Sequence, residues 1–317
     1  MNKKLVIIAV AIVTIAFIAA YSYFTSAGVK GTIKVSGAWA LYPMMVKWAE
    51  EYQEIHPDVK IEVSAGGAGK GMADALAGLV DIGMVSREIY PEEIANGAFY
   101  VKVTKDAVVA TVNENNPVLN NILTKGLTRQ TFYNIYIAGN TTTWRQAVGK
   151  TNVTDEIHVY TRSDACGAAE TWAKYLGKKQ DDLLGTGVYG DPGLLEAVRN
   201  DRLGIGFNNI GYAYDMQTWG QVAGIRVIPI DVDGNGQIDP EEDFYSTKDK
   251  IVEAIGLGAY PSPPARDLHL VTKNKFTDLS KEFVEWILTE GQNYVEEVGY
   301  VSLPENTINE QLAKLEG

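Results

Sequence analysis

Short β-branched runs recur along this chain, each ending in a glycine-containing turn that opens a helical stretch, and that alternation restricts the chain to an α/β architecture. From residue 31 the pattern predicts a strand over 32–35, a helix over 42–55, a strand over 59–64, a helix over 69–77 and a short buried strand over 81–85. A second unit starts near 107–112, passes through helices around 128–136 and reaches a strand over 156–161. Helices over 168–176 and 194–200 and a strand over 204–207 follow. Near Tyr260 the chain turns extended through Pro261, Pro263 and Pro264, then gives a strand over 268–271 and an amphipathic helix over 280–298, elements that can complete the first unit. The organisation implied is two lobes, lobe I from 29–106 and 259–317 and lobe II from 107–258, with the prolines as an inter-lobe crossing or a plain surface loop. Turns of this kind leave the first N–H groups of each helix without intrahelical partners, so several such turns around one cleft make an anion site.

Ahead of this body, residues 5–20 are uncharged and broken only by Thr14, and Tyr21, Tyr23 and Phe24 prolong the run. About 20 apolar residues cross a bilayer as a helix. Lys3 and Lys4 on the short N-terminal side hold that end in the cytoplasm, so 1–28 read as an N-terminal transmembrane anchor in the cell membrane with the body extracytoplasmic. The competing reading is a signal peptide cleaved near Thr25-Ser26-Ala27, which leaves the body secreted or periplasmic. Cys166 is the only cysteine, so neither an intrachain disulfide nor a lipid anchor on a cysteine after the run is available. The net charge of −12 argues against a nucleic-acid partner. It does not exclude a local anion site, because a cleft responds first to its nearest charges and dipoles. Asn140-Thr141-Thr142 and Asn152-Val153-Thr154 match the short glycosylation triplet.

Residues 231–242 fit the twelve-residue calcium loop position by position. Asp231, Asp233, Asn235 and Asp239 put carboxylate or amide oxygens at places 1, 3, 5 and 9, Gly236 makes the turn, Gln237 offers its backbone carbonyl, and Glu242 closes the loop. The preceding 225–230 read as a strand, so this is a single loop without paired helices, suited to structural Ca2+ where calcium is abundant. An acidic solvated turn is the alternative.

Several segments, in order and spacing, resemble the phosphate-binding proteins of ABC transporters, a branch of the type 2 periplasmic-binding-protein fold. They are Ser36-Gly37-Ala38-Trp39-Ala40-Leu41-Tyr42-Pro43, Gly66-Gly67-Ala68-Gly69-Lys70-Gly71, Asp81-Ile82-Gly83-Met84-Val85-Ser86-Arg87, residues 106–117, Arg162-Ser163-Asp164-Ala165-Cys166-Gly167-Ala168, Gly204-Ile205-Gly206-Phe207 and residues 291–303. The resemblance covers nearly all of 31–304. It implies a two-lobed, monomeric receptor that closes on a small anionic solute and presents it to an ABC permease in the membrane. In that family the oxyanion is held by helix-start N–H groups, by hydroxyls in the glycine turns and by one arginine. Carried over residue by residue, the solute positions are Ala40, Leu41, Tyr42, Ala68, Gly69, Ser86, Arg87, Arg162, Cys166, Gly167 and Ala168.

Arg162 matches the arginine, whose planar fork pairs with two oxygens and stays charged at any biological pH; an ion pair with Asp164 is the other reading of this residue. Lys70 or Arg87 can add charge, and Trp39 and Tyr42 either wall the pocket or pack in the interior. The chain departs from the family at Leu41, Ala68, Cys166 and Ala168, where serine or threonine is usual. Charge-assisted hydrogen bonds contribute roughly 1.5–3 kcal/mol each, so the solute is phosphate or a similar oxyanion, or else a carboxylate or other organic anion. A calcium-binding surface sensor or scaffold without transport is the alternative of a different class. A thiol enzyme at Cys166 needs a neighbouring base, and His56, His158 and His269 stand in no catalytic context, so no enzymatic activity is expected.

Overall fold

A computed structural model describes residues 30–149 and 152–317, so the proposed anchor over 1–28 lies outside the described residues. No helix among the described residues is long and apolar enough to cross a membrane. In strand β1 (Gly31–Gly37) Ile33 and Val35 point inward while Thr32 and Lys34 face solvent, the alternation of a half-covered strand. β1 pairs in parallel with β2 (Val59–Ala65) and β3 (Ile82–Val85), and the helices Tyr42–Ile55 and Ala68–Leu76 make the two crossovers. β9 (Ala265–Lys273) returns late in the chain and inserts antiparallel between β3 and β4 (Ala98–Asn113).

β4 (Ala98–Asn113) serves both lobes. Its residues 98–107 pair with β9, and 108–113 pair with β7 (Gly204–Asn209) and β8 (Ile225–Val227). β5 (His158–Arg162) lies parallel to β7 and to β6 (Thr186–Val188), giving the order β2-β1-β3-β9-β4-β7-β5-β6 with β8 on β4. The interior divides accordingly. One cluster holds Met44, Trp48, Tyr52, Leu270 and Phe283. The other holds Phe132, Trp144, Trp172, Phe207 and also Tyr260 and Ala265, so the returning chain stays with the second lobe until β9 begins. Tyr260 Oη ties that return to β4 by donating to the Val108 carbonyl at 2.7 Å.

Two expectations change. β4 starts at Ala98, well before 107, because its charged residues are matched on β9: Lys102 by Asp267 at 2.7 Å and Asp106 by Arg266 at 2.9 Å. The helix expected over 280–298 is two pieces, Asp278–Leu288 and a 3-10 turn Glu290–Tyr294, broken at Thr289, whose ψ is −99°. A final helix, Glu305–Glu316, packs back on lobe I, where the buried Gln311 accepts from the Lys102 amide at 3.0 Å.

Candidate functional site

Backbone packs on backbone beneath the first-lobe turns. A Cβ on Gly37 would lie 2.3 Å from the Met84 carbonyl oxygen, and one on Gly71 would lie 2.5 Å from the same atom, so only glycine lets these segments approach. That approach sets the starts of the helices Tyr42–Ile55 and Ala68–Leu76 side by side at the ends of β1 and β2. Across the interface stand the starts of Gly167–Tyr175, after β5, and of Gly190–Asn200, after β6.

The two sets touch. Gly69 N–H donates to the Ala165 carbonyl at 3.2 Å. A Cβ on Gly167 would meet Ser86 Oγ at 2.2 Å, and one on Gly190 would meet the Trp39 ring at 3.1 Å. The lobes are therefore closed on each other at the helix starts. An open groove of about 930 Å3 lies between Tyr90, Lys105, Glu170, Leu257, Tyr260 and Arg266.

Of the solute positions read from the sequence, Ala40, Leu41, Ala68, Ser86, Cys166, Gly167 and Ala168 are buried at this meeting, and Tyr42 and Gly69 are partly buried. Gly167 and Ala168, as the first residues of their helix, have no intrahelical acceptor for their N–H groups. Cys166 caps that helix, its Sγ accepting from the Ala169 amide at 3.4 Å. Burial pushes its thiol up to about 12, with Arg162 opposing the rise, so it is no nucleophile at neutral pH.

Arg87 is turned elsewhere: it forks onto Glu93 at 2.9 and 2.6 Å and lies over the Tyr90 ring. Lys70 pairs with Asp74, which also accepts from Ser36 Oγ at 2.6 Å. Trp39 packs edge-on against Tyr189 and Tyr212 of the second lobe, and its indole N–H has no hydrogen-bond partner.

Arg162 is buried, and its donors point inward. Nε and Nη2 fork onto Asp164 at 2.8 and 2.6 Å, and Nη1 meets Asp191 at 2.6 Å. Burial opposes its charge, but Asp191 foremost, and Asp164 with it, hold the guanidinium well above its ordinary value. Asp191 was not visible as a site residue, since Gly190-Asp191-Pro192-Gly193 reads as a turn. Arg266 was missed as well. Its guanidinium donates to the Gly167 carbonyl at 2.5 Å and to Thr171 Oγ1 at 3.0 Å, pairs with Asp106 and touches Asn209, joining β9 to the second-lobe helix start. Burial raises Asp106 to about 6, with Arg266 pulling it back.

In the acidic loop, ligand atoms of Asp231, Asp233 and Glu242 lie within 4.8 Å of one another. Asp231 is buried and accepts from the Gly234 and Gly236 amides at 2.8 and 3.0 Å. Glu242 reaches back to the Val232 amide at 2.8 Å, while Asn235 and Gln237 both donate to Asp239, at 2.6 and 2.8 Å. Ile238 anchors the loop, its N–H donating to the Thr124 carbonyl at 3.0 Å.

Two α/β lobes on shared strands β4 and β9, with helix starts of both lobes in contact at the interface, define a two-lobed protein of the type 2 periplasmic-binding fold, a family of solute-binding proteins and not of enzymes. The chain belongs to the PBP superfamily, whose domain model matches residues 24–290. The phosphate-binding protein PstS of Methanocaldococcus jannaschii is 27% identical, with 86% of this chain and 83% of that protein covered. PstS of Bacillus subtilis is 24% identical, with 86% and 80% covered. Among solved structures, a phosphate ABC transporter substrate-binding protein with bound phosphate from Clostridium perfringens shares the fold with a TM-score of 0.70 at 24% identity, covering 86% of this chain and 100% of that one.

Proposed function

We propose that the protein receives a small oxyanion, phosphate foremost, outside the cytoplasm and delivers it as a monomer to an ABC permease by closing its lobes about β4 and β9. The observation that carries this reading is the meeting of helix starts from both lobes at Gly69, Ala165 and Gly167, with the buried Arg162 behind it. The phosphate-binding relatives and the phosphate-bound neighbour support it. Because Leu41, Ala68, Cys166 and Ala168 bring no hydroxyl, the grip falls to backbone N–H groups and Ser86; a carboxylate or other organic anion is the second solute class. Titration calorimetry of the full-length chain in detergent is expected to show one phosphate bound per chain. Absence of both heat and a melting shift at millimolar phosphate and carboxylate would sink the reading. We place the body on the outer face of the membrane, tethered by residues 1–28; a mature chain beginning near residue 28 in mass spectra of expressing cells replaces the tether by a cleaved leader.

The loop 231–242 is proposed to hold one Ca2+ through Asp231, Asp233, Asn235, the Gln237 carbonyl, Asp239 and Glu242 as a clamp on lobe II. The convergence of Asp231, Asp233 and Glu242 supports this. A ligand at a hundred times its Kd stabilises by about 2.7 kcal/mol, so 10 mM calcium is expected to raise the melting temperature over chelator, and Glu242→Gln to abolish the rise. An equal melting temperature with calcium and with chelator removes calcium from the account. Calcium stabilisation with no anion bound favours the surface scaffold instead.

A further inference from the structure

In lobe I the strands β1, β2, β3 and β4 all begin at one end of the sheet, and β9, running antiparallel, finishes there. The Gly31 amide donates to the Asp58 carbonyl at 3.3 Å, which holds the turn into β2 beside the start of β1. The Asp81 amide on the Lys34 carbonyl at 3.0 Å holds the turn into β3 on its other side, and Ala98 at the start of β4 pairs with Lys273 at the close of β9. Each approach to a strand carries a large apolar side chain turned to solvent: Ile55 before β2 is 59% exposed, Leu79 before β3 67% and Ile94 before β4 48%. Single exposed apolar residues are ordinary on a protein surface. These three, however, are the large apolar residues that lobe I exposes among the described residues, and all share one end. Leu79 follows Gly78, whose φ is +68° and whose Cβ would meet nothing within 4 Å, so that turn stands clear of the body.

The chain enters lobe I at this same end. The apolar run ends at Phe24, so residues 25–30 alone separate it from β1, at most about 22 Å of chain in any conformation. A body held that close to a bilayer meets it at high effective concentration, so weak apolar contacts suffice to dock it. Lys30, Lys60, Lys273 and Lys275 are exposed at this end with Asp58 and Asp81 among them, a mixture suited to zwitterionic headgroups. We infer that the strand-start end of lobe I rests on the lipid bilayer, with Ile55, Leu79 and Ile94 entering its interfacial layer. This rests on 1–28 staying on the chain as the tether proposed above, and adds the orientation of the body on the membrane. β1 and β2 run from this end to the solute turns about 20 Å away, and β4 runs from it into lobe II. Docking therefore fixes lobe I and leaves lobe II as the half that moves when the hinge closes.

The contact is read on the full-length chain in phosphatidylcholine nanodiscs, with bimane on Lys60→Cys or on Glu196→Cys in a Cys166→Ser background. Lys60 is exposed at the start of β2, and Glu196 is exposed on the second-lobe helix Gly190–Asn200. Lipid bearing a doxyl quencher high on its acyl chain is expected to dim the Lys60→Cys label at least threefold more than the Glu196→Cys label. Ile55→Ser, Leu79→Ser and Ile94→Ser combined are expected to cut the quenching at Lys60→Cys at least threefold while leaving the melting temperature unchanged, because none of the three is buried. Equal quenching of the two labels, or quenching at Lys60→Cys that the triple substitution leaves as it was, overturns the inference. Should the triple variant fail to fold, the contrast between the two labels decides alone. A chain that enters the nanodisc without that contrast keeps the tether and sinks the docking surface by itself. A mature chain that begins near residue 28 and stays out of nanodiscs removes the tether, and the docking surface with it.

Discussion

Cys166 shows how position governs the chemistry of a single side chain. A thiol at a helix start is ordinarily activated by the helix dipole and a nearby cation, and both are present here, since Arg162 lowers its pKa and the Ala169 amide donates to it. Burial outweighs them and pushes the thiol up to about 12. The native protein is therefore expected to leave Ellman's reagent uncoloured at pH 8 and to release one equivalent once denatured in guanidinium; a full equivalent within minutes from the native protein would show that the lobes stand open in solution. The sequence revealed Cys166 because it is a lone cysteine in a glycine turn, and Arg162 because its motif resembles a family. Asp191 stayed hidden for a physical reason: what makes it matter is a contact across 29 positions of chain, and no local pattern records which buried carboxylate a guanidinium will meet.

The elements were more legible than their ends and their charges. The helix Tyr42–Ile55 and strand β2 fall where periodicity puts them, because a half-covered element writes its packing into the order of apolar residues. β4 and β9 write less, because each carries ions that are matched on the other. These strands also hold two opposed titrations. Burial depresses His269 to about 4, and its Nδ1 has no hydrogen-bond partner. Its folded pKa lies below the unfolded value of 6.5, so its contribution to stability is present above pH 6.5 and lost as pH falls through about 4. Asp106 runs the other way: raised to about 6, its contribution is present below 3.8 and lost as pH rises through about 6. Between pH 4 and 6 the two offset each other. Urea unfolding of His269→Gln beside the wild type is expected to show the variant gaining on the wild type as pH drops from 6.5 to 4, by on the order of 2 kcal/mol. Parallel curves would mean that His269 takes up its proton in the folded strand.

At the scale of the whole molecule, two separate cores share β4 and β9, and the helix starts of the two lobes are joined by contacts that hinge motion can break, among them Gly69 N–H on the Ala165 carbonyl, Tyr90 Oη on Glu170 at 2.8 Å, and Ser86 against Gly167. Gly167 offers a way to test closure without disturbing either core. It opens a regular helix and has no left-handed backbone, so alanine suits its own segment. The added methyl would nevertheless fall 2.2 Å from Ser86 Oγ and 2.3 Å from the Ser86 carbonyl oxygen, and both atoms belong to the other lobe. A rotating hydroxyl could yield, whereas the carbonyl moves only with the backbone that leaves β3, so the strain is relieved by parting the lobes. Gly167→Ala is expected to keep the wild-type circular dichroism and red-shift the tryptophan emission as Trp39 leaves Tyr189 and Tyr212. Phosphate binding is expected to weaken at least tenfold, about 1.4 kcal/mol of the closed complex. If emission and affinity both stay at the wild-type level, the contact of Ser86 with Gly167 is no part of the solute-bound state, and the solute is held by lobes that never come this near.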